Sequence, residues 1–148
     1  MTNGNSGHFR RAYGTAQLFE QLARKVLERR SHHDLHASQW SALRYFSRAS
    51  RGASNVSGLS RFLGNTSGST SRTAKSLVEK GYLKTEPAAH DGRAVSISLT
   101  EDGRQRLADD PLHDLSKILA EALSPEDLAE LGRILDQLGE RLSPGDER

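Results

Sequence analysis

The sequence predicts a mainly α chain with a small β wing: one lobe of short helices carrying a hairpin, and a helical dimerisation region formed by the N- and C-terminal helices. Three observations predict it. Apolar residues recur at three- and four-residue steps along most of the chain. Two short helical patterns, separated by Gly64-Asn65-Thr66-Ser67, run directly into two alternating strands. The last segment places Leu128, Leu131, Leu135, Leu138 and Leu142 at steps of 3, 4, 3 and 4, a coiled-coil seam.

The elements follow in order. Residues 1–7 are polar and glycine-rich and read as disordered. From Phe9, the positions Ala12, Tyr13, Ala16, Phe19, Leu22, Ala23 and Val26 make an amphipathic helix to about Arg30. Ser38 is the expected cap of a second helix, with Trp40, Leu43 and Phe46 inward and Arg44 and Arg48 outward. After a loop at 51–55, Asn55 caps a short helix with Leu59, Phe62 and Leu63 inside, closed by Gly64. Thr66 or Ser67 caps a fourth helix whose inner face is Thr70, Ala74, Leu77 and Val78, with Gly81 as its stop. Residues 82–86 and 94–99 read as strands, with Asp91-Gly92 as the tight tip between them. Thr100 caps a further helix, which Pro111 bends or restarts, and Ser124-Pro125-Glu126-Asp127 is a strong start for the last one. The expected division is 1–7 disordered, 8–37 N-terminal dimerisation helix and loop, 38–103 reading lobe, and 104–148 C-terminal dimerisation helices.

Composition narrows the function classes. The chain has no cysteine, which removes disulfides, thiolate zinc sites and a thiol switch. No apolar run approaches a membrane span and the start lacks a signal-peptide core, so the chain reads as cytoplasmic. Its net charge of +2 hides an asymmetry: residues 1–99 carry 15 basic against 6 acidic side chains, residues 100–148 carry 6 against 13. A basic body with an acidic end suits one surface that meets a polyanion and another kept away from it. No nucleophile elbow, phosphate loop or paired-carboxylate site is present, which argues against an enzyme.

Helix, turn, helix and hairpin across 55–99 form a winged helix-turn-helix, in which the second helix enters the DNA major groove. Taking Ala74 as the centre of its buried face places Gly68, Ser69, Arg72, Ser76 and Glu79 opposite, with Thr73 and Lys75 on the flanks. Short hydroxylated residues let the backbone approach the groove, an arginine can grip guanine, and the helix start at Ser67 favours a phosphate. Lys84 on the first strand and Arg93 beside the tight turn, with Asp91 two residues before it, are further basic candidates for a polyanion.

The span from about Gln39 to Gly103 resembles the MarR family of dimeric winged helix-turn-helix transcriptional regulators. The resemblance is carried by QWSAL at 39–43, by residues 55–83, and by DGRAVSISLTEDG at 91–103. It implies a homodimer on a pseudo-palindromic operator in double-stranded DNA, with Arg93, supported by Asp91, reaching into a narrow, A·T-rich minor groove and Lys84 meeting a phosphate. It also implies a repressor released by a small-molecule effector, such as an aromatic acid or phenolic compound, bound between the dimer helices and the reading lobe. Candidate effector contacts are Arg11, Tyr13, His36, Trp40 and Arg44, with Arg10 beside them; Trp40 is otherwise a core residue. No cofactor is implied. The sequence departs from the family at Asn65 and Thr70, usually aliphatic, at Ser60, usually alanine, at Thr85, where an arginine often stands, and at Gly58 and Gly68 inside helices. Each helical glycine costs up to about 1 kcal/mol relative to alanine, predicting a less rigid helix pair.

Two alternatives stay open at this level. The departures also suit a winged-helix module that binds protein. His32 and His36, four apart beside His33 and Asp34, suit a metal-sensing regulator if that segment is helical, although no cysteine or glutamate-rich cluster accompanies them.

Overall fold

The computed structural model describes residues 3–30, 34–89 and 91–142, and residues 1–36 and 37–148 form two separate units. The first unit is one helix, α1 (Asn3–Arg30). It begins well before Phe9, within the stretch expected to be disordered. Once a helix is nucleated, each added residue gains a backbone hydrogen bond, so polar residues extend it at little cost. Along α1, Phe9, Tyr13, Leu18, Phe19, Leu22 and Leu27 are all exposed.

The second unit begins with α2 (Ala37–Arg48), one residue ahead of the expected Ser38 cap, followed by a single 3-10 turn at Arg51–Ala53. Then come α3 (Val56–Leu63), α4 (Ser67–Glu79), the antiparallel strands β1 (Leu83–Ala88) and β2 (Asp91–Leu99), and three helices: α5 (Glu101–Ala108), α6 (Leu112–Ala122) and α7 (Pro125–Leu142). One core joins α2, α3, α4 and the hairpin. Trp40, Leu43, Leu59 and Leu77 are fully enclosed, with Ala74, Leu83, Ile97 and Leu99 buried beside them. Each large side chain buried there contributes about 1.5–3 kcal/mol.

Phe62 is not part of this core. It is 60% exposed and lies against Tyr45, with ring centroids 5.1 Å apart. An eight-residue helix presents little more than one inward position per turn, and Leu59 takes it. Arg44, expected outward, is half-buried through an ion pair described below.

The junction between β2 and α5 is tight. Thr100 Oγ1 accepts from the Gly103 N–H at 3.0 Å and donates to the Gly81 carbonyl at 2.5 Å. Gly103 is buried, and a Cβ there would collide with the carbonyl oxygen of Tyr82. Pro111 restarts the helix as α6. Ser124 caps α7, its Oγ accepting from the Asp127 N–H at 3.1 Å. On α7, Leu128, Ile134, Leu135, Leu138 and Leu142 are exposed, while Leu131 of the same seam is half-buried. Among the described residues no helix is long and apolar enough to cross a membrane.

Candidate nucleic-acid interface

The helix pair is fastened at each end by its own sequence. The Asn55 side chain accepts from the Gly58 N–H at 2.8 Å and starts α3; Gly64 ends it in the left-handed region, at φ 63°. A side chain at that angle is strained, which is why glycine stands there. Thr66 caps α4 through Ser69 N–H.

The departures from the family pattern are absorbed by this geometry. Ser60 Oγ donates to the Asn65 carbonyl at 2.6 Å, while the Asn65 N–H donates back to the Ser60 carbonyl at 3.2 Å. Thr70 is fully buried with its hydroxyl donating to the Thr66 carbonyl at 3.0 Å. Gly58 is required rather than tolerated: a Cβ would strike both the Ala53 carbonyl and the Tyr45 hydroxyl, which are bonded to each other at 2.7 Å. These polar residues tie the turn together, so they no longer motivate a protein-binding module, and the expected loss of rigidity at Gly58 does not follow.

The outward face of α4 is rotated from the expected one. The buried line runs through Thr70, Ala74 and Leu77. At 100° per residue its centre lies about 30° from Ala74, turning the outer ridge toward Lys75. Gly68, Ser71, Arg72, Lys75 and Glu79 are exposed, and Ser67 is exposed at the helix start. Ser69, Thr73 and Ser76 are half-buried. Thr73 Oγ1 donates to the Ser69 carbonyl at 3.2 Å, and Ser76 Oγ accepts from Gln39 Nε2 at 3.0 Å. Ser76 therefore helps seat the helix against α2. Ser71 was missed because the face was centred on one residue rather than on the whole buried line.

The wing also differs at its tip. Ala88 pairs with Asp91, and the register slips between Pro87 and Ala88. Asp91-Gly92 thus belongs to the returning strand, with His90 outside the described residues. Three residues of β2, Gly92, Arg93 and Ala94, lie between the partners of Ala88 and Pro87, so the ladder is interrupted there and Arg93 falls within the irregular stretch. The Asp91 side chain, expected to support the wing, likewise falls outside what is described. Arg93 stands two residues along β2 and is exposed. Lys84 is exposed on β1 and paired with Glu86 at 2.7 Å.

What fixes the wing was not legible in advance. Ser54, buried just ahead of the Asn55 cap, donates from Oγ to the Ile97 carbonyl at 2.5 Å, and its own carbonyl accepts the Ile97 N–H at 2.8 Å. Two bonds bolt β2 to the start of α3. Between α4 and the hairpin lies a cleft of about 1080 Å³, whose walls include Arg51, Ser57, Ser71, Lys75 and Val95. Arg51 could have been suspected from its place four residues before a helix cap, where a cation lies near the helix pair.

The candidate effector residues divide. Arg11 and Tyr13 are exposed on α1, and His36 is exposed at the end of the first unit. Trp40 is fully enclosed, with the Arg106 guanidinium 5.2 Å from its ring centroid. Arg44 forks the Asp110 carboxylate, Nε to Oδ2 and Nη2 to Oδ1, both at 2.5 Å. Both side chains are used inside the fold. Burial alone would push the Asp110 carboxyl up. The Arg44 fork, the Leu112 N–H at 2.9 Å and the positive potential of Arg44 and His113 outweigh it and hold the carboxyl below its ordinary value. His32 and His33 lie outside the described residues, and among those described no cluster of three or more histidine or acidic side chains could hold a metal.

A helix pair joined by a tight turn, with a hairpin tied to the start of the first helix, is a winged helix-turn-helix, the architecture in which the second helix can enter the DNA major groove. The sequence model of the MarR family matches residues 33–94. Among solved structures, a MarR/EmrR family transcriptional regulator from Acinetobacter sp. ADP1 is 26% identical, covering 88% of this chain and 95% of that one at a TM-score of 0.69. Wild-type apo MarR from E. coli is 25% identical, covering 83% and 95% at a TM-score of 0.58. MepR of S. aureus, solved as a DNA complex, is 18% identical, covering 88% and 96% at 0.67, a likeness of fold alone. No curated protein matches the chain in sequence. The likeness to the MarR family is thus carried by residues 33–94 and by the fold, and the solved relative from Acinetobacter sp. ADP1 is a transcriptional regulator.

Proposed function

We propose that the chain is a cytoplasmic repressor that binds a pseudo-palindromic operator in double-stranded DNA as a homodimer and is released by a small-molecule effector, such as an aromatic acid or phenolic compound. The α4 ridge of Ser67, Arg72 and Lys75 enters the major groove, with Ser69 and Thr73 at its edge, and Arg93 enters the flanking minor groove. Lys84 meets the backbone.

The observation that carries this reading is the pair of hydrogen bonds between Ser54 and Ile97, which ties the strand bearing Arg93 to the start of α3. A lone arginine on a free hairpin would carry little positional information. The exposed apolar faces of α1 and α7 support the homodimer, since the leucine seam needs a partner. The basic excess over residues 1–99 supports a polyanionic target. MepR has been solved with DNA and with ethidium bromide, which supports both halves of the proposal by analogy of fold. Arg11, Tyr13 and His36 are the effector contacts we retain.

The test is DNA binding by the full chain and by Arg93→Ala, using a duplex that the wild-type chain selects from a random-sequence pool. Arg93→Ala should weaken specific binding by about 1–3 kcal/mol while leaving the thermal unfolding midpoint in place. Unchanged affinity removes the wing from the mechanism, and failure of the wild-type chain to select any sequence refutes the DNA-binding reading.

A further inference from the structure

One strip of α2 grips two different parts of the second unit. Gln39 holds Ser76 of α4 from one side. Trp40 and Arg44, one helical turn apart, meet Arg106 and Asp110, which are also four residues apart. The result is a two-rung ladder, a cation over an indole ring and a forked ion pair, between α2 and the end of α5.

Asp110 sits where the chain changes direction. Residues 109–111 are the non-helical step between α5 and α6. Asp110 Oδ1 accepts the Leu112 N–H at 2.9 Å, and its carbonyl accepts the His113 N–H at 3.0 Å. The same carboxylate therefore starts α6 and anchors to α2. The side chains of Arg44 and Asp110 are 21% and 8% exposed, so the fork operates largely out of water. A desolvated pair of this kind adds little stability over an apolar replacement, but it specifies one geometry, because two parallel N–H···O bonds fix both distance and orientation.

We propose that the Arg44–Asp110 fork is a positioning clamp that fixes the direction of α6 relative to the recognition helix, and so sets the half-site separation the dimer accepts. This rests on the homodimeric, operator-binding reading above. Arg44 and Asp110 lie away from the α4 ridge and are positioning residues, not DNA contacts. Gln39 completes the link, since α2 holds α4 with one residue and the α5–α6 step with the next turn. Lysine at position 44 would keep the charge and lose the fork. Asparagine at position 110 would keep an oxygen for the Leu112 N–H and lose the ion pair.

The experiment uses the full chain and the duplex selected by the wild-type chain from a random pool. That duplex is remade with its half-sites moved by one and two base pairs, and also as an isolated half-site. Wild type, Arg44→Lys and Asp110→Asn are titrated against each duplex at fixed salt. Both variants should bind the half-site within about twofold of wild type, while their penalty for displaced half-sites shrinks by about tenfold, the scale on which linkage geometry acts in divalent binding. An unchanged spacing penalty overturns the clamp. So does a half-site affinity that falls in parallel with the full-site affinity, since that would make the pair a support of the lobe itself. If wild type selects no sequence, the DNA-binding reading fails before any variant is measured, and the clamp falls with it.

Discussion

Gly58 occupies the interior of α3, where exchange for alanine ordinarily gains about 1 kcal/mol of helix stability. Here the added methyl group would enter the space shared by the Ala53 carbonyl and the Tyr45 hydroxyl, which are bonded at 2.7 Å. Overpacking of this kind costs about 1–3 kcal/mol, and losing the tyrosine bond costs about 1 kcal/mol more. After the helix gain is subtracted, Gly58→Ala should destabilise the chain by about 1–3 kcal/mol. With a urea dependence of about 1–3 kcal/mol per molar, the midpoint should fall by roughly 1 M. Gly68→Ala is the internal control, because nothing lies within 4 Å of the place its methyl group would take and the residue is exposed on α4. It should raise the midpoint by a few tenths molar, on the order of its propensity gain. The assay is urea unfolding followed by the fluorescence of Trp40, at one chain concentration because the stability of the proposed dimer would depend on it. If Gly58→Ala stabilises the chain as Gly68→Ala does, the packing argument for α3 is wrong.

Two further outcomes follow from the same structure. Asp110 is held below its ordinary carboxylate value in the folded chain, so its stabilisation is fully present above about pH 4 and is lost as the pH falls through the folded value. Asp110→Asn should therefore be less stable than wild type at pH 7, with the difference closing in acid; a pH series of urea midpoints measures this, and a constant difference would refute it. Leu138→Arg places a charge in the exposed seam of α7; under the proposed homodimer it should shift the chain from dimer to monomer in sedimentation at micromolar concentration, and a mass unchanged from wild type would refute an interface at this seam.

Much of the fold was legible because its signals are local. Asn55, Gly64, Thr66, Thr100 and Ser124 each do, within three or four residues, what their types permit. The leucine spacing marked α7 as amphipathic, and the alternation of residues 94–99 marked the strand. The misses have a common physical origin in partners far along the chain. Arg44 looks like a surface arginine until Asp110, 66 residues away, folds against it. Ser54 looks like loop until Ile97 arrives, 43 residues on. Gly58 looks like a flaw in a helix until Tyr45 is seen to need its space. The expected outer face of α4 lies close to the exposed one because its residues are contiguous. It erred by a fraction of a turn, enough to send Ser76 inward and bring Ser71 out.

The Ser54–Ile97 bolt has a consequence for the nucleic acid rather than for the protein. Under the proposed function, the tie of Ile97 to the start of α3 limits how far the hairpin can adjust the separation between α4 and Arg93. Whatever mismatch exists between that span and a given duplex must be taken up by twist and groove width in the DNA. Base steps that deform easily between the two contacts should be preferred even though no side chain touches them. Under the proposed function, part of the operator's identity would thus be written in the stiffness of untouched base pairs, with a buried serine hydroxyl as the reason it can be read.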